Sequence, residues 1–581
     1  MLESISTRLV SSRDLGCTRK PSIFVGGQGR KRFLCRVHLS GDGRVQQNKT
    51  EENLTKNDET QAGGSSRRQL LCGVSLMAGI RNAEAVRQIA SMDRAEAADL
   101  ESKIGTTMAE DIEKRLKEST FEFSLDNGLT VLVRRRRVAP VFSAVTYADV
   151  GSFDEGSITG LAHLLEHLAF KGTPRQSYDY RRESQLLTMM DDVFLELRDE
   201  ASVRKRMDLE RKLEALQQEA SLLAASNAYG ALLKKEGAVG LNAATSHDST
   251  KYFVSLPSNK LELFFALEAE RFIAPVFRDV YSEKKVVLEE RKMRVDASPL
   301  GDFQENFAAK SFGNNYSRPV IGSEADISRI SRVDVERFFD THYRPEALTI
   351  SIVGDVDPSQ VRHFAEKYFG SWASSTPRAS VHIPGSAETL AFPEKLPGKI
   401  VDKSIAGPLL LHSFYRPSVR DMWTSIALDI ADSSLTGGRS SRLEKKLVIT
   451  SKALSVSSYS TFPGEKYPNQ MLFYGVPASS SSLEELDRAI LHELECLAGQ
   501  GPTAAELEKF SKDSHIDSIR ALQSNSSMAS ALASYQNLTG SWENIYRELY
   551  MTHEHTQKTV SEICSKFLVP SLSYTGYVHR M

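Results

Sequence analysis

The chain has 581 residues, 40% of them hydrophobic and 25% charged, with a formal net charge of -2. That is the make-up of an ordinary soluble globular protein, long enough for more than one hydrophobic core. Near-neutral charge argues against nucleic acid as the main partner, and no apolar run reaches the length of a membrane-spanning helix. Beyond the first 85 residues only Cys496 and Cys564 remain, in no paired motif, so neither a disulfide framework nor a cysteine metal site is expected.

The N-terminus reads as a leader. Arg8, Arg13, Arg19, Lys20, Arg30, Lys31, Arg32 and Arg36 stand against only Glu3 and Asp14, among frequent serines, the composition of an organelle transit peptide. A twin arginine (Arg67-Arg68), an apolar run from Leu70 to Ile80 and a small-x-small site (Ala83-Glu84-Ala85) follow. Residues 1–85 are therefore expected to be a bipartite leader to the chloroplast and onward to the thylakoid lumen, with the mitochondrion as the alternative. Residues 86–119 are charged and helix-prone and read as an arm.

From Phe121 the period changes to two. Phe123 and Leu125 continue the alternation, Asp126-Asn127-Gly128 is a hairpin turn, and Leu129 to Val133 returns. Val141 to Val150 is a third strand. The next segment, Gly160 to Thr173, is rich in Leu, Ala and Glu and reads as a helix. Positions four apart share a helical face, so His163 and His167 can aim both imidazoles at one point, with Glu166 leaning over it. Two neutral imidazoles and a water-activating carboxylate are what a catalytic zinc site asks of one helix, and the order His-x-x-Glu-His is an inverted zincin pattern.

With Asn127-Gly128-Leu129, Val150 to Glu155 and Phe170-Lys171-Gly172-Thr173 around it, this helix resembles the pitrilysin/insulinase metallopeptidases, most of all their mitochondrial processing peptidase-like branch. The resemblance spans roughly residues 120–580. It implies one Zn²⁺ held by His163, His167 and a Glu on a later helix. In the segment Tyr281 to Arg291, Glu283, Val286, Val287 and Glu290 share one helical face. Matching the family pattern puts the ligand at Glu290 and a supporting carboxylate at Glu283, leaving Glu289 solvated. Glu166 becomes the general base. Leu241 to Ala244 matches an edge strand beside the metal, so Asn242 and Ala243 become substrate-binding candidates, and peptide can add to that edge through its backbone. His247 matches no ligand position.

The interval from His167 to Glu290 is longer than this branch usually shows. Leu186, Met190, Val193 and Leu197, then Leu209, Leu213, Leu216, Ala220 and Leu223, recur at helical spacing. They read as an inserted helical hairpin at about 183–225, either a passive appendage or a lid or docking arm.

The expected class is α+β: two homologous domains, each a mostly antiparallel sheet packed with helices, at 120–373 and 399–581, joined by a Ser/Pro/Gly-rich linker at 374–398. The second domain lacks the His-x-x-Glu-His pattern. Its Gly-rich stretch, Leu435 to Leu443, lacks a P-loop ending and is read as a turn. Its scattered His412, His492, His515, His553 and His555 show no carboxylate-paired ligand pattern. The implied function is zinc-dependent hydrolysis of peptides or targeting presequences; the alternative is a non-catalytic subunit of the same fold. Relatives of this size enclose their site with a second chain, so a homodimer or a heterodimer with a homologous chain is implied.

Overall fold

The computed structural model describes residues 109–224, 228–373, 396–404 and 407–581. The expected leader, the arm before residue 109 and the linker from 374 to 395 lie outside the described residues.

Two sheets organise the chain. The first contains β1 (Thr120–Ser124), β2 (Thr130–Arg135), β3 (Val141–Ala148), β4 (Val239–Thr245), β5 (Thr250–Pro257) and β6 (Leu348–Gly354). Its order is β1-β2-β6-β3-β5-β4, and β2–β6 is its parallel pair. The second contains β7 (Gly398–Ser404), β8 (Leu409–Arg416), β9 (Ala453–Phe462), β10 (Asn469–Pro477) and β11 (Ser573–Arg580), in the order β7-β11-β8-β10-β9. The other pairings are antiparallel except β7–β11. The class is α+β, as the blocks of hairpins and helices imply.

Period-two alternation gives the first sheet two apolar faces. Val131, Val133, Phe142, Ala144, Ile350 and Ile352 point into the main core, where the Leu161–Leu168 and Leu261–Ile273 helices pack. Leu132, Val145, Tyr147 and Val353 point the other way. That second face is covered by Ile112 and Leu116 of the helix at 109–119, and by Met528 and Leu532 of the Asn525–Thr539 helix. A helix from the C-terminal half thus completes the N-terminal sheet. The exchange is reciprocal. Phe303 and Phe307 of the Pro299–Ser311 helix pack on Leu411, Leu472, Tyr574 and Val578 of the second sheet. Gly576 makes room for them, because a Cβ there would lie 2.9 Å from both rings.

The expected hairpin is present as the Tyr180–Asp199 and Val203–Ser221 helices. Ion pairs Arg182–Glu219 at 2.5 Å and Lys205–Glu196 at 2.8 Å tie opposite ends together, so the two run antiparallel. They differ in role. The second is largely exposed, with Leu209, Leu213 and Leu216 its buried residues and Ala220 half-buried against the core. The first is wedged into the core: Glu183 takes a buried ion pair from Arg278, and Asp191 accepts from Tyr281 at 2.6 Å and from Arg332. Phe194 lies 4.6 Å from the Tyr281 ring. Because Tyr281 opens the helix that carries Glu283 and Glu290, the first hairpin helix buttresses those carboxylates.

In the second half His553 and His555 are held neutral. Burial lowers each to about 4; His515 adds to the effect at His553, while a backbone contact with Trp423 opposes it at His555. A histidine depressed on folding takes up its proton more readily when unfolded, so stability is complete above the unfolded value of about 6.5 and falls as pH drops toward 4. The unfolding midpoint is expected to fall between pH 7 and pH 5, less steeply in His555→Phe. Calorimetry across that range checks it; equal slopes in the two proteins would refute the assignment.

Candidate metal centre

The Leu161–Leu168 helix starts at Gly160, whose φ of 91° and close approach to the Ile321 carbonyl (2.6 Å from a hypothetical Cβ) require glycine. The buried Glu155 carboxylate accepts from the N–H groups of Gly160 at 2.9 Å and Ala162 at 2.8 Å. It thereby satisfies donors that the first helical turn leaves open. Leu164, Leu165 and Leu168 are buried beneath, each contributing about 2 kcal/mol by removal from water. These anchors fix the register that turns His163 and His167 to the same side.

Their rings lie 4.9 Å apart at 73°. On the facing Val280–Arg291 helix, Glu290 brings Oε2 to 3.6 Å from His163 Nε2 and 3.4 Å from His167 Nε2. Three ligand atoms about 2.1 Å from one tetrahedral ion would be about 3.4 Å apart, so the donor set fits a metal of zinc's size and preferences. Among the described residues it is the one cluster of three or more His, Cys, Asp or Glu side chains that closes in this way, its ligand atoms within 4.8 Å of one another.

The electrostatics divide the two imidazoles. Burial, helped by neighbouring His167, lowers His163 to about 4 and keeps it neutral, as a ligand must be. His167 goes the other way. Burial opposes its charge, but hydrogen bonds to Glu283 and Glu290 outweigh it and raise His167 to about 9. Glu290 is held below the usual carboxylate range, first by its bond to His167. His163, His167 and Glu290 would hold a dication at their point of convergence, and binding there would require His167 to give up its proton.

Glu283 lies 3.4 Å from His167 Nδ1 and pairs with Lys171 on its other oxygen. It orients one imidazole from behind, where a supporting carboxylate is needed. Glu289 points to solvent and pairs with Lys292 at 2.7 Å. Arg294 binds Glu290 Oε1 at 3.0 Å, leaving Oε2 toward the histidines.

Glu166 stands beside this cluster. Its Oε2 accepts the Thr245 hydroxyl at 2.5 Å, and burial raises its carboxyl above the ordinary range. No sequence pattern marks Thr245. Its one signal is a hydroxyl on the same strand face as Ala243, two residues on. Asn242 is exposed and Ala243 buried on β4, the outermost strand of the first sheet. His247 bonds the Arg318 carbonyl at 3.0 Å, away from the cluster.

The second half brings one correction. His412 does have a carboxylate partner: its Nδ1 lies 2.5 Å from Asp487, which also accepts from Tyr577 at 2.5 Å. Asp487 comes from a distant helix, so sequence spacing could not show the pair. With one carboxylate and one phenol it is a buried core cluster, not a metal site. The Gly-rich stretch is a turn after the Met422–Thr436 helix, and Arg442 within it bridges to Glu506 at 2.7 Å.

The family described as insulinase (peptidase family M16) matches residues 130–195 and 213–324, and the peptidase M16 inactive domain matches 329–511. The chain belongs to the insulinase, or M16, metallopeptidase family. His163, Glu166, His167, Asn242, Ala243, Glu283 and Glu290 all fall inside the insulinase match. The unmatched interval, 196–212, covers the end of the first hairpin helix and the start of the second.

Among M16 relatives, the chain is 26% identical to an uncharacterized zinc protease of Mycobacterium leprae, over 77% of this chain and 88% of that one. It is 25% identical to a probable mitochondrial-processing peptidase subunit beta of Schizosaccharomyces pombe, over 45% of this chain and 47% of the relative. The crystal structure of a Helicobacter pylori protease superposes with a TM-score of 0.62 at 22% identity, covering 79% of this chain and 99% of that one, which shows the shared fold.

Proposed function

We propose that the chain is a zinc-dependent endopeptidase acting on peptides or targeting presequences. The observation that carries this reading is the convergence of His163, His167 and Glu290 beside a buried carboxylate, Glu166, that is not one of the three. When bound there, zinc supplies Lewis-acid polarisation and brings the pKa of a water toward about 7. The protein supplies the rest. His163, His167 and Glu290 hold the ion, and Glu283 orients His167. Glu166 takes a proton from the attacking water and delivers it to the leaving amine. Its raised affinity for a proton, due to burial, suits both halves of that exchange.

The edge of β4 supports extended-peptide binding beside the site, with Asn242 and Ala243 in that strand. The family resemblance supports a partner, either a second copy or a homologous chain, that closes the site, and the composition of residues 1–85 supports the chloroplast, with the thylakoid lumen as a further destination and the mitochondrion as the alternative.

The reading is tested by metal analysis and peptide digestion of the full chain. One zinc per chain is expected, with cleavage abolished by a chelator and restored by zinc. A metal-free chain, or cleavage indifferent to chelation, would reject it; metal without cleavage would favour the non-catalytic subunit. Comparing transit peptides with unrelated peptides separates processing from general degradation. Glu283→Gln is expected to bind zinc about ten- to a hundredfold more weakly, because the amide cannot draw on the imidazole as a carboxylate does. Competition with a chromophoric chelator measures this; unchanged affinity would remove Glu283 from the site.

A further inference from the structure

The second half holds none of the site residues, yet one of its loops reaches the turn beside Glu166. Thr245 ends β4, Thr250 begins β5, and Ser246-His247-Asp248-Ser249 joins them. Asp248 is 5% exposed. Its Oδ1 accepts the Tyr316 hydroxyl at 2.6 Å. Its Oδ2 accepts two backbone N–H groups of the β9–β10 loop, from Glu465 at 2.6 Å and Lys466 at 3.1 Å.

The same loop is fastened at three more points. The Tyr467 N–H donates to Tyr316 Oη at 3.1 Å. Lys466 pairs with Asp149 at 2.7 Å. Tyr467 stacks on Phe153, with ring centroids 4.0 Å apart. Gly464 is required at the contact, since a Cβ there would come within 2.6 Å of Asp248 and Tyr316. On the other side the turn is held by the two residues after Gly151: the Ser152 and Phe153 N–H groups donate to the Ser246 and His247 carbonyls at 3.1 and 2.9 Å.

We infer that Asp248 is a positioning residue, through which the loop at 463–468 of the second half sets Thr245 against Glu166. A carboxylate taking three hydrogen bonds in a buried setting has one arrangement, and the turn it fixes is three residues from the hydroxyl that Glu166 accepts. An exposed hairpin tip at a sheet edge would otherwise be among the looser parts of a fold. This gives the second half a role in the site although it lacks ligands, and it rests on the peptidase reading above.

The test uses the full zinc-loaded chain. Asp248→Ala is expected to lower kcat about ten- to a hundredfold through misplacement of Glu166, with zinc content and KM nearly unchanged. Asp248→Asn, which keeps an acceptor for the two N–H groups, recovers most of the loss. Thr245→Val/Asp248→Ala is expected to be no slower than Thr245→Val, because both act along one chain of contacts. Independently of turnover, hydrogen exchange of the amides at 241–252 quickens in Asp248→Ala and in Gly464→Ala, the latter altering the loop and not the turn. Wild-type kcat in Asp248→Ala, or losses that multiply in the double variant, would overturn the inference. If the wild-type chain proves inactive, the peptidase reading fails by itself. Exchange at 241–252 then decides: unchanged protection in both variants overturns the clamp, and faster exchange supports it.

Discussion

Glu166→Gln is expected to lose peptide cleavage by about 10²- to 10⁴-fold in kcat while keeping one zinc per chain. The substitution is nearly isosteric. The amide oxygen can still accept the Thr245 hydroxyl that Glu166 accepts at 2.5 Å. Nothing in the ligand set changes, because Glu290 and not Glu166 faces both imidazoles. Stability should not suffer either: burial already disfavours charge at this position, and a neutral amide avoids that cost. What the variant lacks is a group that can accept a proton from water and return it to the leaving amine. Substrate binding at the β4 edge is untouched, so KM should change little. Steady-state kinetics with parallel metal analysis reads both outcomes. A variant with near-wild-type kcat would remove Glu166 as the base, and one without zinc would show that it helps hold the metal.

The site was more legible than the architecture around it, and for a physical reason. His163, Glu166 and His167 lie within one helical turn and a half, so local geometry alone brings them together. Glu283 and Glu290 share a helix face by the same rule, but periodicity cannot say that this helix faces the first; that came from family resemblance, and the structure brings the two helices together. Thr245 escaped because a single hydroxyl at a strand end carries no periodic signal. His412 and Asp487 escaped because their partnership depends wholly on tertiary packing.

Alternation and helical spacing marked strands and helices of the first half, yet the exchange of covering helices between halves did not follow from them. The Asn525–Thr539 helix has an apolar stripe in Met528, Ala529, Leu532 and Ala533. A stripe demands burial without naming the surface that provides it. It lies on the first sheet, while Phe303 and Phe307 go to the second. The strands of the first sheet end at Gly354 and those of the second begin at Gly398, but each sheet is completed by residues from the other half. The hairpin shows the same limit: two similar helical periods, of which one is core and one is surface.

Glu290→Gln is expected to cost the chain its zinc outright, a larger effect than the loss of the supporting Glu283. The carboxylate is the only anionic member of the donor set, and it alone approaches both histidines, at 3.6 and 3.4 Å. Arg294 holds its other oxygen at 3.0 Å, so Oε2 is presented to the cluster. An amide in its place is a weak ligand and leaves two neutral imidazoles to hold a dication, one of them already buried where charge is unfavourable. Metal content should fall below about a tenth of an ion per chain after dialysis, whereas Glu283→Gln, weakened only about ten- to a hundredfold in affinity, should keep more. Cleavage should fall with it and return only in part at high added zinc. The neighbouring Glu289→Gln is the control. That side chain is 68% exposed and bound to Lys292, so metal and activity should be those of the wild type. If Glu289→Gln loses zinc and Glu290→Gln retains it, the ligand helix is rotated from the arrangement described, and the family pattern has been laid on this segment one residue out of register.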